Sequence, residues 1–444
     1  MTVVPFLLHP MAAASNPGLV RSLRRWDLVA VVLNGVIGAG IFGLPSRVFA
    51  LTADYSLVCF AACALCVSLI VLSFAEVASR FSGTGGPYLF AREAYGPLTG
   101  FVVGWLVWIA RVTSLAANCS LLPAYLGFFF PAAASGLPRA IIVAGVVTAL
   151  AAVNVRGVRG AADASNVMAV GKLLPLGVFV IAGLFFMQPG RFSFAAAPTY
   201  HGFAQSVLLL VYAFTGFEMA VIPAGEARSP GRDLPRALLM GMAVVVTFYM
   251  LIQLVCIGTL PGLGGSQRPL ADAAATFLGT WGAAMITGGI VVSLAGNLNV
   301  LILAASRVLF AMAERDDLPA KLASIHPRFR TPAAAVLATT AIMLILTLSG
   351  TFIHLLTLST IARLATYFAT CGALVVLRRR EGAPVAVFHV PGGVFVAFAG
   401  MLLCIWLLSS SSLREARDTM LAASAGLAVY WLHRKIRSAR VLTR

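Results

Sequence analysis

Three features of the sequence place binding or ionisable groups inside otherwise apolar stretches. The run Gly35-Val36-Ile37-Gly38-Ala39-Gly40 interrupts one stretch near its middle, and Thr215-Gly216-Phe217-Glu218 interrupts another. Lys172 stands inside a third, in Ala169-Val170-Gly171-Lys172-Leu173-Leu174-Pro175. Opening a helix within a hydrocarbon layer leaves backbone N–H and C=O groups unpaired, which is costly unless a ligand, water or protein takes them up. A half-helix beginning at Gly38-Ala39-Gly40 presents free N–H groups and the positive end of its dipole, suited to a carboxylate, and its small residues let a solute approach the backbone. Close helix packing is the competing reading, because glycines in membrane spans commonly serve it. A dinucleotide-binding fingerprint is excluded, since no strand precedes the run.

An ionisable side chain at mid-span costs about 3 kcal/mol on insertion scales and marks a functional position by default. Glu218 follows directly on the second break. It can orient backbone, bind an ammonium through water, accept a proton, or act as a structural hydrogen-bond hub. Lys172 cannot easily reach either surface, so it sits against the carbonyls of a broken helix or titrates; a static ammonium bracing the first broken span is the plain alternative. Tyr212 and Phe214 lie within a turn of the second break, where aromatics serve packing as readily as binding. Arg111, Arg307 and Arg363 lie near an interior or cytoplasmic end, where pairing or snorkelling is favoured over solute contact. Gly96, Gly100 and Gly104, four residues apart, read as a helix contact, and Glu76 as locally paired.

Catalytic chemistry finds no footing. The six histidines are scattered near span ends or outside spans, and no phosphate-binding loop exists, so neither an enzyme nor direct ATP-driven transport is supported. Cys59, Cys63, Cys66, Cys119, Cys256, Cys371 and Cys404 all fall in apolar runs as small buried side chains. Cys63 and Cys66 lack the second pair or flanking histidine that a metal site needs. No cofactor or metal is expected.

The elements that must position these groups are membrane helices. The chain of 444 residues is 60% hydrophobic and 11% charged, against about half and about a quarter in soluble domains. Apolar runs long enough to cross a bilayer recur along it. Twelve spans are expected, at 27–50, 55–79, 98–127, 138–155, 164–187, 203–222, 237–260, 281–312, 332–350, 354–377, 391–409 and 418–433. Spans three and eight look long, as tilted helices do. The formal charge of +17 resides in loops rather than on a basic face interleaved with aromatics, which argues against nucleic acid. With the N-terminus inside, the outer segments hold only Arg47, Arg139, Arg191, Arg268, Arg414 and Arg417. Nearly all remaining cations fall inside, placing both termini in the cytoplasm. Val3–Leu8 is apolar without a preceding basic region, so residues 1–25 read as a poorly ordered cytoplasmic tail rather than a cleaved signal; residues 434–444 form a basic cytoplasmic tail.

Two Gly-interrupted spans at corresponding places in two halves point to a binding site at an inverted-repeat interface. The breaks lie in spans one and six. Because five is odd, spans one to five (26–187) and six to ten (203–377) run with opposite topology, and spans eleven and twelve (391–433) are accessory. The fold expected is therefore an all-α polytopic membrane protein with an inverted five-helix repeat core.

At this point the residues match a known family. The chain resembles the bacterial amino acid, polyamine and organocation permeases in Gly35-Val-Ile-Gly-Ala-Gly-Ile-Phe-Gly-Leu-Pro45 and Gly85-Gly-Pro-Tyr-Leu-Phe-Ala-Arg-Glu-Ala-Tyr-Gly96. Further matches are Phe214-Thr-Gly-Phe-Glu218, Glu226-Ala-Arg-Ser-Pro-Gly-Arg-Asp-Leu-Pro-Arg236, Ser306-Arg-Val-Leu-Phe310, Leu318-Pro319 and Arg330-Thr-Pro332. The resemblance implies secondary transport by alternating access around a central site in the inner membrane. It implies that backbone of Ile37, Gly38, Ala39, Gly40 and Ile41 holds a substrate's carboxylate and amine, with backbone of Ala213, Phe214, Thr215 and Gly216 completing the amine site. Tyr212 matches an aromatic that gates the site from outside, and Glu218 an acidic position after the second break. Lys172 matches a lysine that replaces a structural sodium ion in sodium-independent members, which points to proton coupling or exchange. Leu115 falls near a position that some members use to grip a polar or cationic side chain, and an aliphatic residue there speaks against a cationic amino acid. The expected partners are a small amino acid, protons and the lipid bilayer; a polyamine or other organocation is the alternative cargo.

Overall fold

The computed structural model describes residues 18–38, 40–194, 197–348, 352–409 and 413–442. Most of the expected N-terminal tail, Ala39 and the last two residues of the basic tail lie outside the described residues. The helices are α1 (Arg25–Val36), α2 (Gly40–Thr52), α3 (Ser56–Ala78), α4 (Pro87–Tyr95), α5 (Pro97–Leu126), α6 (Gly136–Arg156) and α7 (Val158–Phe185). After them come α8 (Tyr200–Phe214), α9 (Pro230–Thr259), α10 (Pro269–Glu314), α11 (Ala333–Leu348), α12 (Phe352–Arg379), α13 (Gly393–Ser409) and α14 (Leu413–Leu442). Four of them, α4, α5, α9 and α10, begin with proline at their first turn, where the missing N–H has no helical partner to lose. Thr199 starts α8 by accepting a hydrogen bond from Gly202 N at 3.1 Å.

Eight helical segments among the described residues are long and apolar enough to cross a membrane, and α11 and α13 are shorter apolar helices. The expected first span is split into α1 and α2, and the expected sixth into α8 and a 3₁₀ turn at Phe217–Val221. Two expectations are corrected in detail. The eighth span extends beyond its expected start at 281, because α10 joins it to a preceding helical segment from Pro269 across a kink at Gly279, whose φ of +64° is not helical. The twelfth, 418–433, is helical within α14 but is not among the segments with the apolar length to cross, since Arg417 and Asp418 precede its apolar stretch and His433, Arg434 and Lys435 close it.

The two ends of the bundle are distinguished by their contacts. Ion pairs join Arg25 to Asp233 (3.2 Å), Arg159 to Asp27 (2.8 Å), Arg92 to Asp317 (2.7 Å) and Arg437 to Asp316 (3.0 Å). At the other end Ser193 N donates to Asp54 Oδ2 at 2.6 Å, Tyr55 meets Phe194 edge to face, and Arg268 lies over the Phe128 ring. Each set joins segments that the span count puts on one side of a membrane. The polarity is inside-out relative to a soluble bundle: α7 turns Val167, Val170, Leu174, Ile181 and Phe185 outward while burying Ser165 and Lys172, because lipid accepts the apolar side and interhelical hydrogen bonds hold the other. Gly100 and Gly104 let α4 press against α5, since a Cβ at either would collide with Arg92 or Tyr88. Glu76 pairs with Arg80 as expected, and also with Arg378 on α12 and Val390 N.

Candidate functional site at the helix breaks

The two breaks meet backbone to backbone. A Cβ on Gly35 would lie 2.5 Å from Gly216 O, and one on Gly216 would lie 2.2 Å from Gly35 O. Gly216 takes a φ of +116°, a conformation that glycine adopts without strain. Glycine at both places is what lets the two backbones approach this closely.

The groups freed at the first break are taken up from three neighbouring helices. Lys172 Nζ on α7 donates to Ile37 O at 2.6 Å and lies 3.3 Å from Ser293 O. Ser293 Oγ on α10 donates to the same Ile37 carbonyl at 2.8 Å. Asn297, one turn further along α10, donates to Asn34 O and Gly35 O, each at 3.0 Å, and accepts from Asn118 Nδ2 at 2.8 Å. The Tyr249 hydroxyl on α9 lies 3.2 Å from Val36 O and 3.1 Å from Ala213 O, so its single proton serves one break or the other.

At the second break Glu218 is fully buried and engaged on both oxygens. Arg111 Nη2 donates to Oε1 at 2.6 Å, Tyr367 OH donates to Oε2 at 2.5 Å, and Gly216 N donates to Oε2 at 3.0 Å. Arg363 Nε stands 3.5 Å from Oε1. Arg363 also donates to Thr215 Oγ1, and to Ser114 Oγ at 3.0 Å. Of the several roles open to Glu218, this geometry is that of a hub which fixes the backbone of the break.

Between the breaks lies a cavity of about 30 Å³, room for a water or two by the usual measure. Gly38, Gly40, Tyr212, Ala213 and Thr215, all expected at the site, line it. Ile37 faces Lys172 through its carbonyl, and Ile41 is buried in the first turn of α2. Phe214 turns away and packs on Tyr249, with ring centroids 5.0 Å apart. Leu115 is buried but does not line the cavity; on α5 that position belongs to Ser114 and Asn118, which lie one helical turn apart, whereas Leu115 is rotated about 100° from Ser114. The pairing expected of Arg111 and Arg307 is present, the latter with Glu226 at 3.0 Å with both side chains fully buried. Arg363 also pairs, with Glu218, and forms part of the cavity wall. Asn118, Asn297 and Tyr249 were not singled out in the sequence, because an uncharged polar residue in a span reads as an ordinary interhelical contact. A second cavity, of about 460 Å³, lies against Phe42, Tyr125, Phe128 and Arg268, between the first turns of α2 and the end of the bundle that carries Asp54 and Ser193.

Two spans broken at matching places, joined backbone to backbone inside a multi-pass helical bundle, are the architecture of a membrane permease. The family model described as amino acid permease matches residues 23–423, and the chain belongs to that family. Among curated proteins the serine/threonine exchanger SteT of Bacillus subtilis is 28% identical over 93% of this chain and 97% of its own length. The branched-chain amino acid permease BcaP of the same organism is 24% identical over 95% of each chain. Its methylthioribose transporter is 26% identical over 95% of each chain.

Proposed function

We propose that the chain is a sodium-independent secondary transporter of amino acids, proton-coupled or exchanging, that works by alternating access around the two breaks. The substrate carboxylate sits on the N–H groups at the start of α2, and its ammonium on carbonyls of the second break near Thr215. Tyr212 closes the site on the outer side, where the larger cavity lies. Residues 26–187 and 203–377 act as the two inverted repeats, with 391–433 accessory. The protein lies in the inner membrane with both termini in the cytoplasm, as the distribution of Lys and Arg favours.

The observation that carries this reading is the contact of Lys172 with Ile37 O at 2.6 Å. An ammonium there does what a bound cation would do, holding a carbonyl that the break has freed. While protonated, Lys172 clamps α1 to α7 and α10; on losing its proton it keeps only the weaker hold of a neutral amine beside the Ser293 hydroxyl, and the first broken span changes its packing more easily. Glu218 is less suited to carry the proton, because two guanidiniums and a phenol already engage it. Among the relatives' named cargoes, serine, threonine and branched-chain amino acids support an amino acid over the alternative cargo class.

The test is transport in proteoliposomes with imposed sodium or pH gradients. Uptake is expected without sodium and to be stimulated by an inward proton gradient, and Lys172→Ala is expected to lose that stimulation. A strict sodium requirement, or undiminished stimulation in Lys172→Ala, overturns the coupling assignment.

A further inference from the structure

The charges clustered on Glu218 do not balance. Glu218 is the one acid within ion-pair distance of Arg111 and Arg363 among the described residues, and it meets both. One positive charge is left over, and it is dry: the Arg111 side chain is 1% exposed and that of Arg363 7%. Nε and Nη1 of Arg111 and Nε of Arg363 have no hydrogen-bond acceptor. An unmatched buried cation is among the costliest features a membrane interior can hold, and it persists where a functional partner completes it.

The position of the surplus says what that partner is. Arg363 shares the cavity wall with Gly40, Tyr212 and Thr215, and the hydroxyls of Thr215 and Ser114 hold its two terminal nitrogens. A guanidinium fixed in this way is prepared for a planar anion. A neutral amino acid brings one carboxylate and one ammonium, which the proposed backbone groups of the two breaks already match, so it leaves Arg363 unanswered. A ligand with a further anion answers it. A polyamine or a cationic side chain would bring a like charge against Arg363.

We infer that the site selects amino acids with an acidic side chain, whose second carboxylate seats on Arg363 while Arg111 holds Glu218 behind it. The inference rests on the proposed transport of amino acids and narrows it to one substrate class.

Binding of glutamate, aspartate, glutamine, asparagine, serine, leucine, arginine and spermidine to the purified full chain in lipid nanodiscs tests it. One of the two acids is expected to bind more tightly than its own amide by roughly 10- to 100-fold, the range for a hydrogen-bonded charge. Arg363→Gln is expected to reverse that order, favouring the amide. Ser114→Ala keeps the charge but frees one nitrogen of Arg363, and is expected to weaken acid binding by roughly 2- to 10-fold. If Arg363→Gln does not fold, the wild-type order and Ser114→Ala decide. Neutral amino acids binding as well as the acids overturn this inference and leave amino acid transport standing. Binding of spermidine with no amino acid bound overturns both.

Discussion

The contact between the two breaks can be tested by adding single carbon atoms to it. In Gly216→Ala the new Cβ would lie 2.2 Å from Gly35 O and 2.6 Å from Gly35 C, about 1 Å short of an ordinary van der Waals contact. The obstacle is backbone on both sides, so no side chain can rotate out of the way. Alanine must also hold a φ of +116°, which costs about 1–3 kcal/mol, added to about 1–3 kcal/mol for overpacking. Gly35→Ala meets Gly216 O at 2.5 Å but keeps helical geometry within α1, so it carries the steric part alone. Gly145→Ala, on the lipid face of α6 with nothing within 4 Å, is the control and is expected to match the wild type or to gain a little helix stability. The expected order of damage is therefore Gly216→Ala, then Gly35→Ala, then Gly145→Ala. Thermal melting of the detergent-solubilised variants gives the stability order, and ligand binding gives the functional one, with at least a tenfold loss expected for Gly216→Ala. A Gly216→Ala protein that melts and binds like the wild type would refute the claim that the breaks touch.

Other substitutions reach the site from different directions. Glu218→Gln leaves Arg111 and Arg363 without a counter-charge and is expected to cost about 3–5 kcal/mol, seen as a lowered melting midpoint; exchanging Arg111 for Met in the same chain should recover part of that loss, and a purely additive double variant would argue against the pairing. Gly40→Leu is expected to abolish binding while the chain still inserts, because Gly40 lines the cavity and a Cβ there already stands 3.3 Å from Ala213; unchanged affinity in a folded variant would reduce the first break to packing. A cytoplasmically active reporter fused after Arg444 is expected to work, and activity of a periplasmic reporter at the same place would invert the topology.

What the sequence made legible was governed by how unusual each residue is in its surroundings. Lys172 could be matched to the first break because an ammonium within a span has few partners beyond exposed carbonyls, and it donates to one. Gly216 and Glu218 were readable as a break for the same reason: a glycine without helical partners next to a carboxylate. Leu115 was missed by a single position, since neighbouring residues on a helix point about 100° apart and no periodic pattern on α5 distinguishes its cavity face in an apolar setting. Arg363 pairs as expected, but its place in the cavity wall was not legible, because its depth depends on how α12 sits against α5 and sequence gives only its place along a span. The kink at Gly279 falls just before the expected eighth span, where a single glycine ahead of an apolar run gives no sign that helix continues on its other side, and α14 took helical form without the apolar length that the expected twelfth span required.

One connection in the fold lies outside the reach of any side-chain substitution that keeps the backbone intact. Just before α1, Leu23 N donates to Glu226 O at 2.9 Å, and Arg228 N donates to Leu23 O at 3.0 Å, while the Glu226 carboxylate is held by Arg307 of α10. The ends of both broken spans at Leu23 and Arg228 are thus stitched into one piece and fastened to a third helix. Because the stitches are main-chain bonds, alanine scanning passes over them in silence; a proline at 23 or 228, which removes the donor itself, is what cuts them. Genetic variation can therefore retune the lining of the cavity, residue by residue, while leaving the linkage between the two broken spans untouched.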